Sequence, residues 1–316
     1  MRIAIGAALL SFALATQAIG QSLSQVNTAL QAGEADKALS LLAALPRNAE
    51  WHNLDCRVEY TLEHWNSAYD ECQKAVEMDG QNSDYHMWLG RAAGEKASRA
   101  SFLSAYSLGK RVRTEFEEAV RLDPRNAAAL ADLGEFYYSA PGIVGGGSDK
   151  AEKIAGQLDG VDPARAHELR ARIAEKNKDY ATAESEFKKA IEVSKTPAFQ
   201  WMNLAAYYRR RNQLTEMESA VEKGFHAAEH EKHSGVALAN GASSLIRAGR
   251  NFALAARLLE TYLKSDSLTE EVPAFKAYTQ LARLKSALGD KAAAQQEKAA
   301  ALALAHDYKP AQELKF

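Results

Sequence analysis

The sequence predicts an all-α, right-handed superhelical solenoid built from antiparallel helix pairs, and three observations carry that reading. The segment FEEAVRLDP, Phe116 to Pro124, ends one helical pattern at an Asp-Pro punctuator. NAAALADLGEFYYSA follows at once, opening the next pattern with Leu133, Gly134 and Tyr137. Further along, DYATAESEFKKAIEVSKTP repeats the same rhythm of small and apolar residues. A period of roughly thirty-five residues is that of two short helices stacked on the next two. Such a chain grows by repetition, so 316 residues need no division into globular domains.

The first twenty residues stand apart. Arg2 precedes the apolar run Ile3 to Ala15, and Ala18, Ile19 and Gly20 close the segment. A positive start, an apolar stretch too short to span a bilayer and small residues before a cut describe a secretory signal. Cleavage is expected between Gly20 and Gln21, with Ala15 as the alternative end, leaving 21–316 as the repeat domain. No cysteine follows the run to carry a lipid. The mature chain is expected to be periplasmic or secreted, with no membrane insertion.

The 39 basic and 41 acidic residues nearly balance, so no global field recruits nucleic acid or an anionic membrane. Only two cysteines occur, Cys56 and Cys72. In an oxidising compartment such a pair closes, and a helix-to-helix turn near His64 falls midway between them. The alternative is two buried thiols packing as small hydrophobes. Without a Cys-x-x-Cys pair, a zinc site is not expected there.

Taken in order, SLSQVNTAL and ADKALSLLAAL form the first pair around Gly33, ended by Pro46. The second begins at Trp51 and Leu54, turns near Trp65 and runs through Cys72 to Gly80. Tyr85, Trp88 and Leu89 open the third, which reaches Pro124 and is longer than the norm. The fourth has Leu133 and Tyr137, then Ala151 and Ala155, with the long connection APGIVGGGSDK between them. Tyr180, Ala183, Phe187 and Ala190 mark the fifth, and Trp201, Leu204, Ala205 and Tyr208 the sixth. Phe252, Ala255 and Leu259 belong to the seventh, Leu281, Ala282 and Ala294 to the eighth, and a short tail follows His306.

The pattern W-x-x-L-(G/A)-x-x-Y on first helices and A-x-x-x-F-x-x-A on second helices resembles the tetratricopeptide repeat. Trp201, Leu204, Ala205 and Tyr208 carry the first half; Ala183, Phe187 and Ala190 carry the second. The resemblance covers nearly all of residues 22–305 and extends to exported bacterial members of undefined activity. It implies a scaffold without catalysis or cofactor that binds a protein or peptide and works as a monomer. Met217, Gly224 and the insertions in the third and fourth pairs depart from the pattern and are expected to make the stack uneven.

The resemblance also implies a concave groove lined by first helices. Its inward phases select Arg91, Tyr138, Arg172, Arg209, Asn240, Arg247 and Arg283. Arginine forks suit carboxylates, so an acidic or C-terminal segment of a partner is the expected ligand. The plainer reading is surface arginine paired with Glu135, Glu168 and Glu175.

Two other constellations are weighed against duller readings. Gly142, Ile143, Val144 and Gly145 open a glycine-rich loop that follows a helix, with Lys150 not followed by Ser or Thr. It lacks the context of a phosphate loop and reads first as a long turn, then as a partner contact. His226, His230 and His233 share a helical phase near Glu229. They read as a solvated helix end, with a metal site, and hence a metal-handling or envelope-stress protein, as the alternative. A further alternative is a purely structural envelope scaffold that docks through the Gly142–Gly147 loop. No motif sets a base beside a serine or cysteine nucleophile.

Overall fold

The computed structural model describes residue 20 and residues 22–316. Residues 1–19 of the expected signal segment, and Gln21 of the expected cut, lie outside the described residues. The first helices of successive pairs are α1 (residues 22–31), α3 (Ala49–Thr61), α5 (Ser83–Ser98), α7 (Ala127–Ser139), α9 (Pro163–Lys176), α11 (Pro197–Arg210), α13 (Gly235–Ala248) and α15 (Ala274–Ala287). Their partners are α2 (Ala35–Ala43), α4 (Trp65–Met78), α6 (Phe102–Leu122), α8 (Ser148–Leu158), α10 (Tyr180–Val193), α12 (Leu214–Ala228), α14 (Phe252–Leu263) and α16 (Lys291–Leu304). A last short helix, α17 (Lys309–Gln312), follows. The fold is the all-α solenoid of paired helices that the repeat pattern predicts.

The helices start where the sequence supplies a side-chain acceptor. Asn48, Asn126, Asp162, Asp179 and Asp290 each accept a backbone N–H of the first turn, and Pro163 follows Asp162 at the position where its missing N–H is harmless. The rhythm of small and aromatic residues then sets the packing. Ala183, Phe187 and Ala190 are fully buried, so α10 lies close on its neighbours with one ring filling the gap. Met217 is also fully buried, and a Cβ on Gly224 would lie 2.8 Å from the Met202 side chain. At the sixth pair glycine therefore permits a close crossing of α12 on α11.

Cys56 and Cys72 form a disulfide joining α3 to α4, both residues out of solvent. A second device ties helix to helix within pairs. His52 meets Glu71 at 2.6 Å, His86 meets Glu115 at 2.6 Å and His167 meets Glu186 at 2.7 Å, always through Nδ1. The sequence reading has no counterpart to this recurring clasp.

The stack closes on itself. Leu23, Val26, Leu42 and Leu54 of the first two pairs share one apolar core with Phe275, Ala301, Tyr308 and Ala311. The short tail is thus a wedge: α17 and Tyr308 seal the seam. Around that core, Lys276 pairs with Glu63 at 2.8 Å, and His306 binds Asp36 through both its backbone N–H and Nδ1 at 2.9 Å. Closure turns the expected concave groove into the inner side of a ring.

Candidate functional site

First helices line the inside because their polar residues fall three or four apart, opposite the apolar face that builds the stack. On α9, Arg165, Glu168 and Arg172 face inward while Ala166, Leu169 and Ile173 are buried. On α7 the inward set is Asp132, Glu135 and Tyr138, and on α5 it is Trp88, Arg91 and Glu95. Trp88, Arg91, Glu95, Asp132, Glu135 and Arg165, together with Phe199 and Lys276, surround a cavity of about 630 Å³, whereas Tyr138, Glu168 and Arg172 line a smaller one of about 230 Å³ that shares Asp132, Glu135 and Arg165. Part of the larger cavity's wall comes from outside the helices. Glu270, Glu271 and Pro273, in the loop joining α14 to α15, reach across the ring and line it.

Charge in this half differs from the expected arginine line. Arg91 does point inward, but its Nε donates to Asp132 Oδ2 at 2.6 Å and its guanidinium lies 4.7 Å from the Trp88 ring centre. Arg172 lies 3.7 Å from Glu168. The cavity wall carries Glu95, Asp132, Glu135, Glu270 and Glu271 against Arg91, Arg165 and Lys276. Enclosure raises the pKa of Asp132, with Arg91 opposing, and that of Glu135, whose carboxyl is wetted by the cavity yet ringed by protein, with Arg172 opposing. Arg91 and Arg172 are thus each paired with a carboxylate of the inner wall, Asp132 and Glu168.

The other half is different. Arg209 on α11, Arg247 on α13 and Arg283 on α15 have no carboxylate within 4.0 Å among the described residues. Arg209 Nε is buried without a hydrogen-bond partner, and burial, then Arg247 and Arg210, lower the pKa of its guanidinium. Arg247 and Arg283 share a pocket of about 300 Å³ with Ser243, Phe252 and Gln280. Arg283 also reaches the Pro310 carbonyl at 3.5 Å, beside the closing wedge. Asn240, half-buried on α13, lies outside this pocket. The sequence-selected set thus divides into paired members and an unpaired cationic strip.

The glycine-rich loop is a built turn. Gly145 has φ 102°, and a Cβ on Gly146 would lie 2.0 Å from the Ala140 carbonyl oxygen. The N–H groups of Val144, Gly145, Gly146 and Gly147 donate to the carbonyls of Pro141, Gly142, Pro141 and Tyr137, which leaves none of them to cradle a phosphate. Val144 packs inward and Ile143 is left 69% exposed. Of the three histidines, His226 and His230 stay together with Glu229, their ligand atoms within 4.8 Å, whereas His233 sits in the turn beyond α12.

Asp132, Glu135, Arg165, Glu168, Glu270 and Glu271 are missing from the sequence-selected set. The signal for the first four was present: they occupy the same helical phase as the arginines that the set includes.

A tetratricopeptide repeat model matches residues 164–197, which are α9, α10 and the turn into α11. Superkiller complex protein 3 of Mus musculus is 29% identical over 124 residues, 36% of this chain but only 7% of that protein's length. Among solved structures, a thermophilic TPR protein of Thermus thermophilus is similar with a TM-score of 0.50 and 19% identity, over 59% of this chain and 97% of that one. Yeast Tom70 is similar with a TM-score of 0.47 and 15% identity, over 84% of this chain and 62% of that one.

Proposed function

The chain belongs to the tetratricopeptide repeat superfamily, and on that premise we propose that it is an exported, non-catalytic scaffold that holds a partner protein or peptide on its inner face. The ligand is an acidic segment, or a free C-terminus, laid against Arg209, Arg247 and Arg283. One observation carries the reading: Arg209 Nε is buried without a partner beside a second unpaired guanidinium. Two like charges held together cost stability, and an anion supplied from outside relieves that cost. The acid-lined cavity repels the same ligand, which supports the cationic half as the binding side. Recognition without chemistry follows from a preformed, enclosed surface.

The test is fluorescence anisotropy with a labelled glutamate-rich peptide, free or amidated at its C-terminus. Arg209→Glu combined with Arg247→Glu is expected to abolish capture while circular dichroism stays unchanged. Equal capture by parent and variant sinks the groove assignment. Export is checked separately by sequencing the mature N-terminus, expected at Gln21.

A further inference from the structure

The near-even charge of the whole chain conceals a local concentration. Helices α5 and α6 contain 16 and 21 residues, against 14 in each helix of the regular fifth pair, and their extra length forms a tip around Ser98 to Gly109. On this tip Phe102 is 80% exposed, Leu103 78% and Tyr106 37%. Large apolar groups are rarely left so bare unless something covers them. From Lys96 to Thr114 there is no acidic residue, while Lys96, Arg99, Lys110, Arg111 and Arg113 supply five cations.

The acids that touch these cations lie at the base of the hairpin. Arg99 pairs with Glu95, Arg111 with Glu115 and Arg113 with Glu117, the last at 3.6 Å. Lys96 and Lys110 instead sit over the rings of Tyr69 and Tyr106. The glycine-rich loop joins the same edge. A Cβ on Gly109 would lie 3.1 Å from Val144, so the loop abuts α6 and its exposed Ile143 belongs to this apolar margin.

We propose that this tip docks the protein on an anionic bilayer surface. Phe102 and Leu103 enter the headgroup boundary, Tyr106 sits at its level, and the flanking cations meet lipid phosphates. The choice of a membrane over a protein groove rests on charge complementarity. Phe102 and Leu103 form a short apolar wedge in a serine-rich turn, with Arg99 just before it and Lys110 and Arg111 further along α6, not a long stripe shaped to fill a groove. Among the described residues no helix is long and apolar enough to cross a membrane, so attachment is peripheral.

The experiment is co-sedimentation of the full chain with vesicles of phosphatidylcholine, alone or with about one third phosphatidylglycerol. Binding is expected only to the anionic vesicles and is lost in about 0.5 M salt. Phe102→Ser with Leu103→Ser lowers binding by more than about 10-fold, and Lys110→Glu by at least about 5-fold. All three side chains are exposed, so circular dichroism stays that of the parent. Arg209→Glu with Arg247→Glu leaves vesicle binding unchanged, which separates this surface from the groove. No binding, equal binding to neutral vesicles, or a dimer in sedimentation velocity that Phe102→Ser with Leu103→Ser dissolves overturns the proposal.

Discussion

Glu270, in the loop between α14 and α15, accepts hydrogen bonds from Arg57 of α3 at 2.9 Å and 2.5 Å, across 213 residues of sequence. Gln31 Nε2 adds a third at 2.7 Å, and Arg57 also reaches Asn27. The side chains of Arg57 and Glu270 are 15% and 9% exposed, so water does little to screen the pair. This bond holds the end of the solenoid against its beginning and carries an acidic loop into the central cavity.

Arg57→Ala leaves Glu270 shielded with most of its donors gone. The expected cost is about 3 kcal/mol in urea unfolding, with a larger radius of gyration by X-ray scattering as the seam opens. Lys37→Ala, at the exposed Lys37–Glu34 pair, is the control and costs less than about 0.5 kcal/mol. A parent-like midpoint and radius for Arg57→Ala mean that apolar contacts close the ring unaided.

Gly33 sits at the same seam with φ 71°, where a Cβ would lie 2.3 Å from the Ala274 backbone nitrogen. Gly249 has φ 63° and nothing within 4 Å. Gly249→Ala should therefore lose only the left-handed backbone penalty, about 1 kcal/mol. Gly33→Ala should lose about 2–4 kcal/mol, because the seam must also move. Equal losses from both would show that the seam tolerates the extra methyl.

Burial, with Glu59 and Glu71 adding, pushes the Asp55 carboxyl up to about 7 from 3.8. The folded chain then holds a proton that the unfolded chain has released, so stability falls as pH rises from about 4 to about 7. Asp55→Asn removes that loss. Its melting temperature should match the parent near pH 4 and exceed it at pH 8, a difference scanning calorimetry reads directly. The same offset at both pH values would assign the gain to packing instead.

Replacing Cys56 and Cys72 by serine opens the short loop that their bond closes over a separation of 16. The chain-entropy estimate gives a loss of about 3 kcal/mol. Dithiothreitol should lower the parent's melting temperature by a like amount and leave the double variant unchanged. A parent indifferent to reductant contradicts this.

The amino-acid order determined the repeat: Leu204, Ala205 and Tyr208 are buried where the pattern places small and aromatic residues, and Cys56 meets Cys72 across the turn. These relations are local, set by helical period and by one hairpin at a time. Closure was decided elsewhere, because it sums the small rotation between neighbours over eight pairs, and no single segment encodes that total. Only closure brings Glu270 to Arg57 and lets the Tyr308 hydroxyl donate to Glu63 at 3.1 Å, across 245 residues of sequence. The same holds for charge. Sequence phase selected Arg91 and Arg209 alike, but the neighbouring helix supplies Asp132 to the first and another arginine's field to the second. Whether an arginine chosen by helical phase meets a carboxylate or stays without one is a property of the assembled ring.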